Sequence, residues 1–281
     1  MKTQQQFLTV SAGKRLIAKA VLALPEMVAA WENGTIVVMA GSTNGYVVEE
    51  CLRKAGVDLP FDRTSFVRGV TTAPGRKIPE RAGAYGTASG NDPNQPGSPS
   101  KPVFPGDLVI ERGAPRFGQT IFDVAAGLKA GDVVLKGANA VQLSRRQAGI
   151  LIGHPEMGTI GPILQAVLGR RVSLVVPAGL EKRVEEDIND LARLMNSPET
   201  AGVRLMPVMG EIVTELEAIS LLTGATARLV SAGGVCGAEG GTWLALTGTT
   251  EQLAAAGALL RGLTREPAWD AMPLDDASPL L

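Results

Sequence analysis

Apolar positions along the chain follow two periods. From Lys14 to Trp31, Leu16, Ile17, Ala20, Val21, Leu24, Met27 and Val28 recur three and four residues apart, which predicts helix. Pro25 lacks the amide that a continuous helix needs, so two short helices are expected. Asn33-Gly34 then carries turn chemistry. Thr35-Ile-Val-Val-Met39 is an unbroken apolar run, the pattern of a strand buried on both faces of a parallel sheet. Similar runs predict strands over Phe66–Val70, Leu108–Glu111, Asp132–Lys136 and Val172–Val176. Helical spacing covers Tyr46–Ala55, Thr120–Leu128, Gly161–Leu168 and Leu180–Met195. Strands alternating with helices imply an α/β fold, a parallel sheet with helices on both faces.

Two stretches depart from that rhythm. Residues 71–105 are dense in Gly, Pro, Ser, Asn and Asp, a loop long enough to be either a lid or a plain insertion. From Val203 a strand, a helix over Ile212–Leu222, a hairpin (Ala225–Val235 with Thr242–Thr247) and a last helix over Glu251–Leu263 follow in order. Thr249 and Gln252 have capping-box spacing at the start of that helix. The expected organisation is a first domain over 1–200, a small ferredoxin-like α+β domain over 201–265, and an extended tail over 266–281.

Composition narrows the function. The 281 residues are 45% hydrophobic and 20% charged, with a formal net charge of −1, which argues against a nucleic-acid surface. Cys51 and Cys236 form no C-x-x-C pair, and His154 is the only histidine, so neither a disulfide framework nor a histidine-built metal site is expected. No apolar run reaches membrane-spanning length, and Met1–Val10 does not read as a secretory signal. The expectation is a cytoplasmic protein, a homo-oligomer through its tail and small domain, without membrane or nucleic-acid partners and without a metal or cofactor.

The sharpest local feature is Gly41-Ser-Thr-Asn-Gly45 between the first buried strand and a helix. A helix start offers free N–H groups and the positive end of a dipole, which suits phosphate or carboxylate. Gly41 and Gly45 would let the backbone approach a ligand, with Ser42, Thr43 and Asn44 as polar partners. The simpler account, an N-cap, is equally consistent with this pattern. A second turn, Gly153-His-Pro-Glu-Met-Gly-Thr-Ile-Gly161, holds His154, Glu156 and Thr159. Lys136 and Asn139 end another strand. Ligands of open α/β sheets bind at the carboxyl ends of strands, so these groups are expected to converge near Ser42. Taken singly, each has a structural account: solvation for Lys136, turn formation for His154, dipole complementation for Glu156. Cys51 reads as a core residue, and Cys236 as part of a glycine-rich connection.

Three segments carry a family resemblance. Lys14–Leu52, with Val37-Val-Met-Ala-Gly-Ser-Thr43, resembles the opening of ribose-5-phosphate isomerase, whose turn holds the sugar phosphate. Asp132-Val-Val-Leu-Lys-Gly-Ala-Asn139 is similar to the strand and turn carrying that family's acidic dyad and lysine. Met157-Gly-Thr-Ile-Gly161 with Val172-Ser-Leu-Val-Val-Pro177 resembles the methylthioribose-phosphate isomerase and initiation-factor 2B branch. The likeness spans roughly residues 14 to 180, in patches, and extends to the CoA transferases of the same superfamily. It implies a Rossmann-like fold and a small anionic metabolite as partner. It also implies an isomerase-like reaction; the first reading of the site is then isomerisation by proton transfer with Lys136 as electrophile and Glu156 or His154 as base, the anion resting on residues 41–45 with Asn139 and Thr159 nearby. Asn139 stands where those isomerases have aspartate, and a neutral amide cannot serve as a carboxylate base. That departure keeps open a non-catalytic sensor of the same fold. CoA-ester chemistry through Glu111 or Glu156 is a third reading.

Overall fold

The computed structural model describes residues 1–58, 61–64, 66–69, 71–72 and 106–268. Its elements in chain order are β1 (Lys2–Leu8), α1 (Val10–Val21), α2 (Pro25–Asn33), β2 (Thr35–Met39), α3 (Ser42–Lys54), β3 (Asp107–Glu111), β4 (Ala114–Arg116), α4 (Ile121–Val124), β5 (Val133–Leu135), β6 (Ala140–Gln142), β7 (Gln147–Ile152), α5 (Ile160–Arg170), β8 (Ser173–Pro177), α6 (Ile188–Met195), β9 (Arg204–Val208), β10 (Glu211–Val213), α7 (Glu215–Thr223), β11 (Thr226–Ala232), β12 (Thr242–Gly248) and α8 (Thr250–Arg261). The fold is mixed α/β, built on a six-stranded sheet of order β10-β8-β5-β2-β3-β4.

The unbroken apolar runs follow from burial on both faces of that sheet. Ile36 and Val38 of β2 enter one core with α1 and α3, while Val37 and Met39 enter a second core with Ile160, Ile163 and Ala166 of α5. Because side chains alternate along a strand, a strand between two cores has no polar position left. Strands β10, β8, β5 and β2 are parallel, but β3 runs antiparallel to β2, with Met39 opposite Asp107. The sheet is therefore mixed, where an all-parallel one is expected from the sequence. The reason lies at residues 66–69, expected as strand but irregular. The Phe66 carbonyl accepts from the Gly41 amide at 3.0 Å, so the chain is held at the carboxyl end of β2, the end at which β3 begins.

Two smaller sheets flank the central one. β6, β7 and β9 form an antiparallel sheet whose Ala148, Ile150 and Val208 complete the second core; Ile188 and Ala192 of α6 pack with Leu205 in a satellite cluster. The long helix expected over Leu180–Met195 is instead a short 3₁₀ turn at Leu180–Lys182 followed by α6. The Val184 amide donates to Val141 O at 2.9 Å, which draws the intervening residues to the edge of this sheet. The expected hairpin is present as β11 and β12, and its third strand is β1, from the opposite end of the sequence. Thr249 and Gln252 form the reciprocal cap on α8. Ile212 and Val213, expected to open a helix, instead pair with β8 as part of β10, and a Thr214–Glu217 capping box starts α7 after them. Beyond Thr72, the 71–105 loop lies outside the described residues, as does the tail beyond residue 268. No helix among the described residues is long and apolar enough to cross a membrane.

A buried ionic cluster fixes α3 against α1. Arg15, 7% exposed, donates to Glu49, to Glu50 at 3.1 Å and to Glu266 at 3.0 Å. Arg63 shares Glu49 at 3.0 Å, and the Tyr46 ring lies 4.8 Å from the Arg15 guanidinium and 4.6 Å from that of Arg63.

Candidate functional site

Parallel strands finish at the same end, so Met39, Leu135 and Pro177 bring three loops together. At the first, the Gly41 amide is spent on Phe66 and the Ala40 amide donates to Asp107 Oδ1 at 3.1 Å. The first intrahelical bond of α3 runs from the Gly45 amide to Gly41 O at 2.9 Å. The amides of Ser42, Thr43 and Asn44 precede it and have no partner within the helix. Asn44 works as a clamp: its Nδ2 donates to Met39 O at 2.8 Å and to Leu135 O at 3.2 Å, tying the ends of β2 and β5 together. Thr43 Oγ1 and Asn44 Oδ1 are buried and lack a hydrogen-bond partner among the described residues. A Cβ added to Gly41 would meet nothing within 4 Å, so this face of the turn is open.

The turn forms one wall of a cavity of about 730 Å³, within the size range of small-molecule sites. The other walls are residues 67–69, 71–72, 136–139, the end of β7, residues 153–155 and 157–160, and Lys182. Of the residues expected to converge, Gly41, Ser42, Thr43, Asn44, Lys136, Asn139, His154 and Thr159 line it. Gly45 and Glu156 do not. Gly45 packs on Arg63, where a Cβ would come within 3.0 Å of the Arg63 Cβ. Glu156 is exposed, just ahead of Met157 and Gly158, both at positive φ. Its amide donates to His154 Nδ1 at 3.2 Å, a turn-forming bond, and its carboxylate is not part of the cavity wall. Asn139 Oδ1 accepts from the Leu151 amide at 3.0 Å, so this side chain helps seat β7. Thr159 precedes α5 without a side-chain cap bond. Glu111, the other glutamate considered as a nucleophile, pairs with Thr35 at the opposite end of β2.

Lys136 directly follows β5, its amide donating to Val175 O at 3.0 Å. Lys136 is half-buried and lines the cavity. Burial lowers its pKa to about 8; Asp107 opposes that shift, while Arg68 and Lys182 reinforce it.

Several charged groups around the cavity lie outside the sequence expectations. Arg68 donates to both oxygens of Asp107, at 2.9 and 3.1 Å, and burial still holds that carboxyl above its usual range. Lys14, 8% exposed on α1, donates to Ser42 Oγ at 3.3 Å and lies 3.9 Å from Glu181 Oε1. Burial lowers the pKa of Lys14 and of Lys182. Behind them Glu215, 2% exposed, accepts from the Leu180 amide at 2.9 Å; burial first, and Glu181 second, raise its pKa to about 8. Gly13 makes room for it, since a Cβ there would lie 2.3 Å from Glu215 Oε1. The sequence signal for Lys14 is slight, a lysine between Gly13 and Arg15 on a helix that also carries Lys19. Lys182 sits in Glu181-Lys-Arg183, which reads as a solvated run. Among the described residues, Arg68, Lys136, Lys182 and His154 line the cavity and no carboxylate does. The chemistry available there is anion binding by amides and cations, and attack or proton transfer by an amine.

Compared with protein-family models, curated proteins and solved structures, the chain matches none of them.

Proposed function

We propose that this chain binds a small phosphorylated or carboxylated metabolite in the cavity, with the anion on the first turn of α3. One observation carries the reading: the charged lining among the described residues is cationic, and it meets the open amides of Ser42–Asn44. A helix start with lysine and arginine nearby favours an anion through both its dipole and its donors. In this reading the central sheet is Rossmann-like, and the ligand lies at the carboxyl ends of its strands. Isomerisation by proton transfer remains the enzyme class proposed, with Lys136 polarising a carbonyl and His154 as the proton-transfer group of the wall. A non-catalytic sensor of the same ligand is the second reading. It is favoured by the same lining, which among the described residues holds no carboxylate base.

Calorimetry and thermal shift with a panel of sugar phosphates, their neutral sugars and inorganic phosphate test the proposal. A ligand at 100 times its Kd adds about 2.7 kcal/mol, a melting shift of several degrees for a chain of this size. Gly41→Val is the informative variant. Gly41 is extended (φ 171, ψ 153) and its Cβ position is open, so the backbone admits valine while its methyls occupy the anion position. Binding is expected to fall at least ~10-fold, about 1.4 kcal/mol, with a melting temperature near wild type. Unchanged affinity would remove the anion from this turn.

A further inference from the structure

We propose that Lys136 is a carbonyl-directed nucleophile, whose amine condenses with an aldehyde or ketone group of the ligand to form an imine. The inference deepens the anion-site reading and rests on it for the orientation of the ligand. Three features of the structure support it. First, Lys136 follows Leu135, whose carbonyl accepts from Asn44 Nδ2 at 3.2 Å, so the backbone that carries Lys136 is clamped to the anion turn. Second, no hydrogen bond or ion pair engages the Lys136 ammonium among the described residues, although it lines the cavity. Third, the carboxylate acting on it is already occupied. Asp107 Oδ1 accepts from the Ala40 amide and Arg68, and Oδ2 from the Ile121 amide and Arg68, all between 2.9 and 3.1 Å.

Arg68 from the 66–69 segment and Lys182 from the 3₁₀ turn both repel a proton on Lys136, Asp107 of β3 attracts one, and His154 shares the cavity wall. Desolvation together with neighbouring cations is the environment that keeps a lysine partly neutral and nucleophilic. The chemistry balances without a co-reactant. The Nζ lone pair forms a bond to the carbonyl carbon, the oxygen takes up a proton, and loss of one water leaves C=N. The protonated imine then acidifies the neighbouring C–H, which supplies the electron sink that isomerisation needs. The ligand class is a phosphorylated or carboxylated aldehyde or ketone.

Pyridoxal 5′-phosphate and pyridoxal are the probes, each at substoichiometric amount, followed by borohydride reduction and peptide mass mapping. The phosphate aldehyde is expected to modify Lys136 ahead of Lys14, Lys182 and the surface lysines, and inorganic phosphate is expected to protect it. Labelling should rise to a plateau with a midpoint near pH 8, whereas surface lysines continue to gain reactivity up to their ordinary range. Lys136→Arg, checked by its melting curve, should lose at least ~10-fold of the label in the cavity peptides. Label on Lys182 or scattered over the surface, with Lys136 unmodified, would overturn the proposal. So would a thermal shift from phosphate without any label on Lys136, an outcome that leaves the anion site standing. Equal labelling of Lys136 by pyridoxal and its phosphate, unprotected by phosphate, would support the nucleophile and remove the anion site.

Discussion

Asp107→Ala is expected to cost about 3–5 kcal/mol of stability and to abolish ligand binding in the same step. The side chain is fully buried, and its two oxygens accept from the Ala40 and Ile121 amides and from Arg68. Truncation takes the carboxylate away from an arginine whose side chain is only 13% exposed and leaves two buried amides without that acceptor. Breaking one side of a buried ion pair typically costs 3–5 kcal/mol, because the remaining charge stays desolvated. The effect reaches the cavity directly: the Ala40 amide that Asp107 holds lies next to Gly41, and Arg68 is part of the wall. Asp107→Asn keeps one acceptor oxygen and should recover part of the loss. Urea denaturation of the three proteins checks this, and a loss below about 1 kcal/mol for alanine would mean the ion pair is not formed in solution.

The legible parts of the fold were those where burial leaves one pattern possible. Thr35–Met39 lies between two cores, so each of its residues had to be apolar or nearly so, and a buried strand could be read at once. The Lys2–Leu8 strand was not legible. Its Gln4, Gln5 and Gln6 face solvent or its edge, and pairing with β12, far along the sequence, decides its conformation. The short strands β6 and β7 were likewise hidden, because Ala140–Gln142 is too brief for a period and Gly149 carries no side chain to mark a face. A Cβ on Gly149 would lie 2.9 Å from Leu205 Cδ1, so close packing with β9 sets that residue. In the site, the Gly-Ser-Thr turn and Lys136 were readable from their places at strand ends. Lys14, Arg68 and Lys182 were not, because they come from three separate segments and each looks solvated locally. Only the sheet topology brings them together, and the same topology leaves Glu156 outside.

Glu215 makes a second large effect measurable as a function of pH. In the unfolded chain a glutamate titrates near 4.3, whereas in the fold burial and Glu181 move Glu215 up to about 8. Between those values the folded state holds a proton that the unfolded state has lost. Stability therefore falls as pH rises from about 4.3 to about 8, by at most ~1.4 kcal/mol per pH unit, and this group adds no further change above that. Glu215→Gln mimics the protonated acid and keeps an acceptor for the Leu180 amide. It should flatten the slope and be more stable than wild type at pH 8, with little difference near pH 4. Lys136 works in the adjoining window with the opposite sign. Its folded value of about 8 lies below the ordinary lysine value, so the folded state has lost a proton that the unfolded state keeps, and stability rises from about pH 8 toward 10.4. Lys14 and Lys182, also lowered, act in the same direction. Together these groups give a profile that falls toward pH 8 and recovers above it. Urea denaturation at half-unit steps resolves the two limbs. Glu215→Gln should flatten the acid-side limb, to which the raised Asp107 carboxyl also contributes, and Lys136→Met should weaken the alkaline one. A wild-type profile that stays level between pH 5 and 8 would mean that Glu215 is ionised in the fold and that the cations behind the cavity already carry its charge.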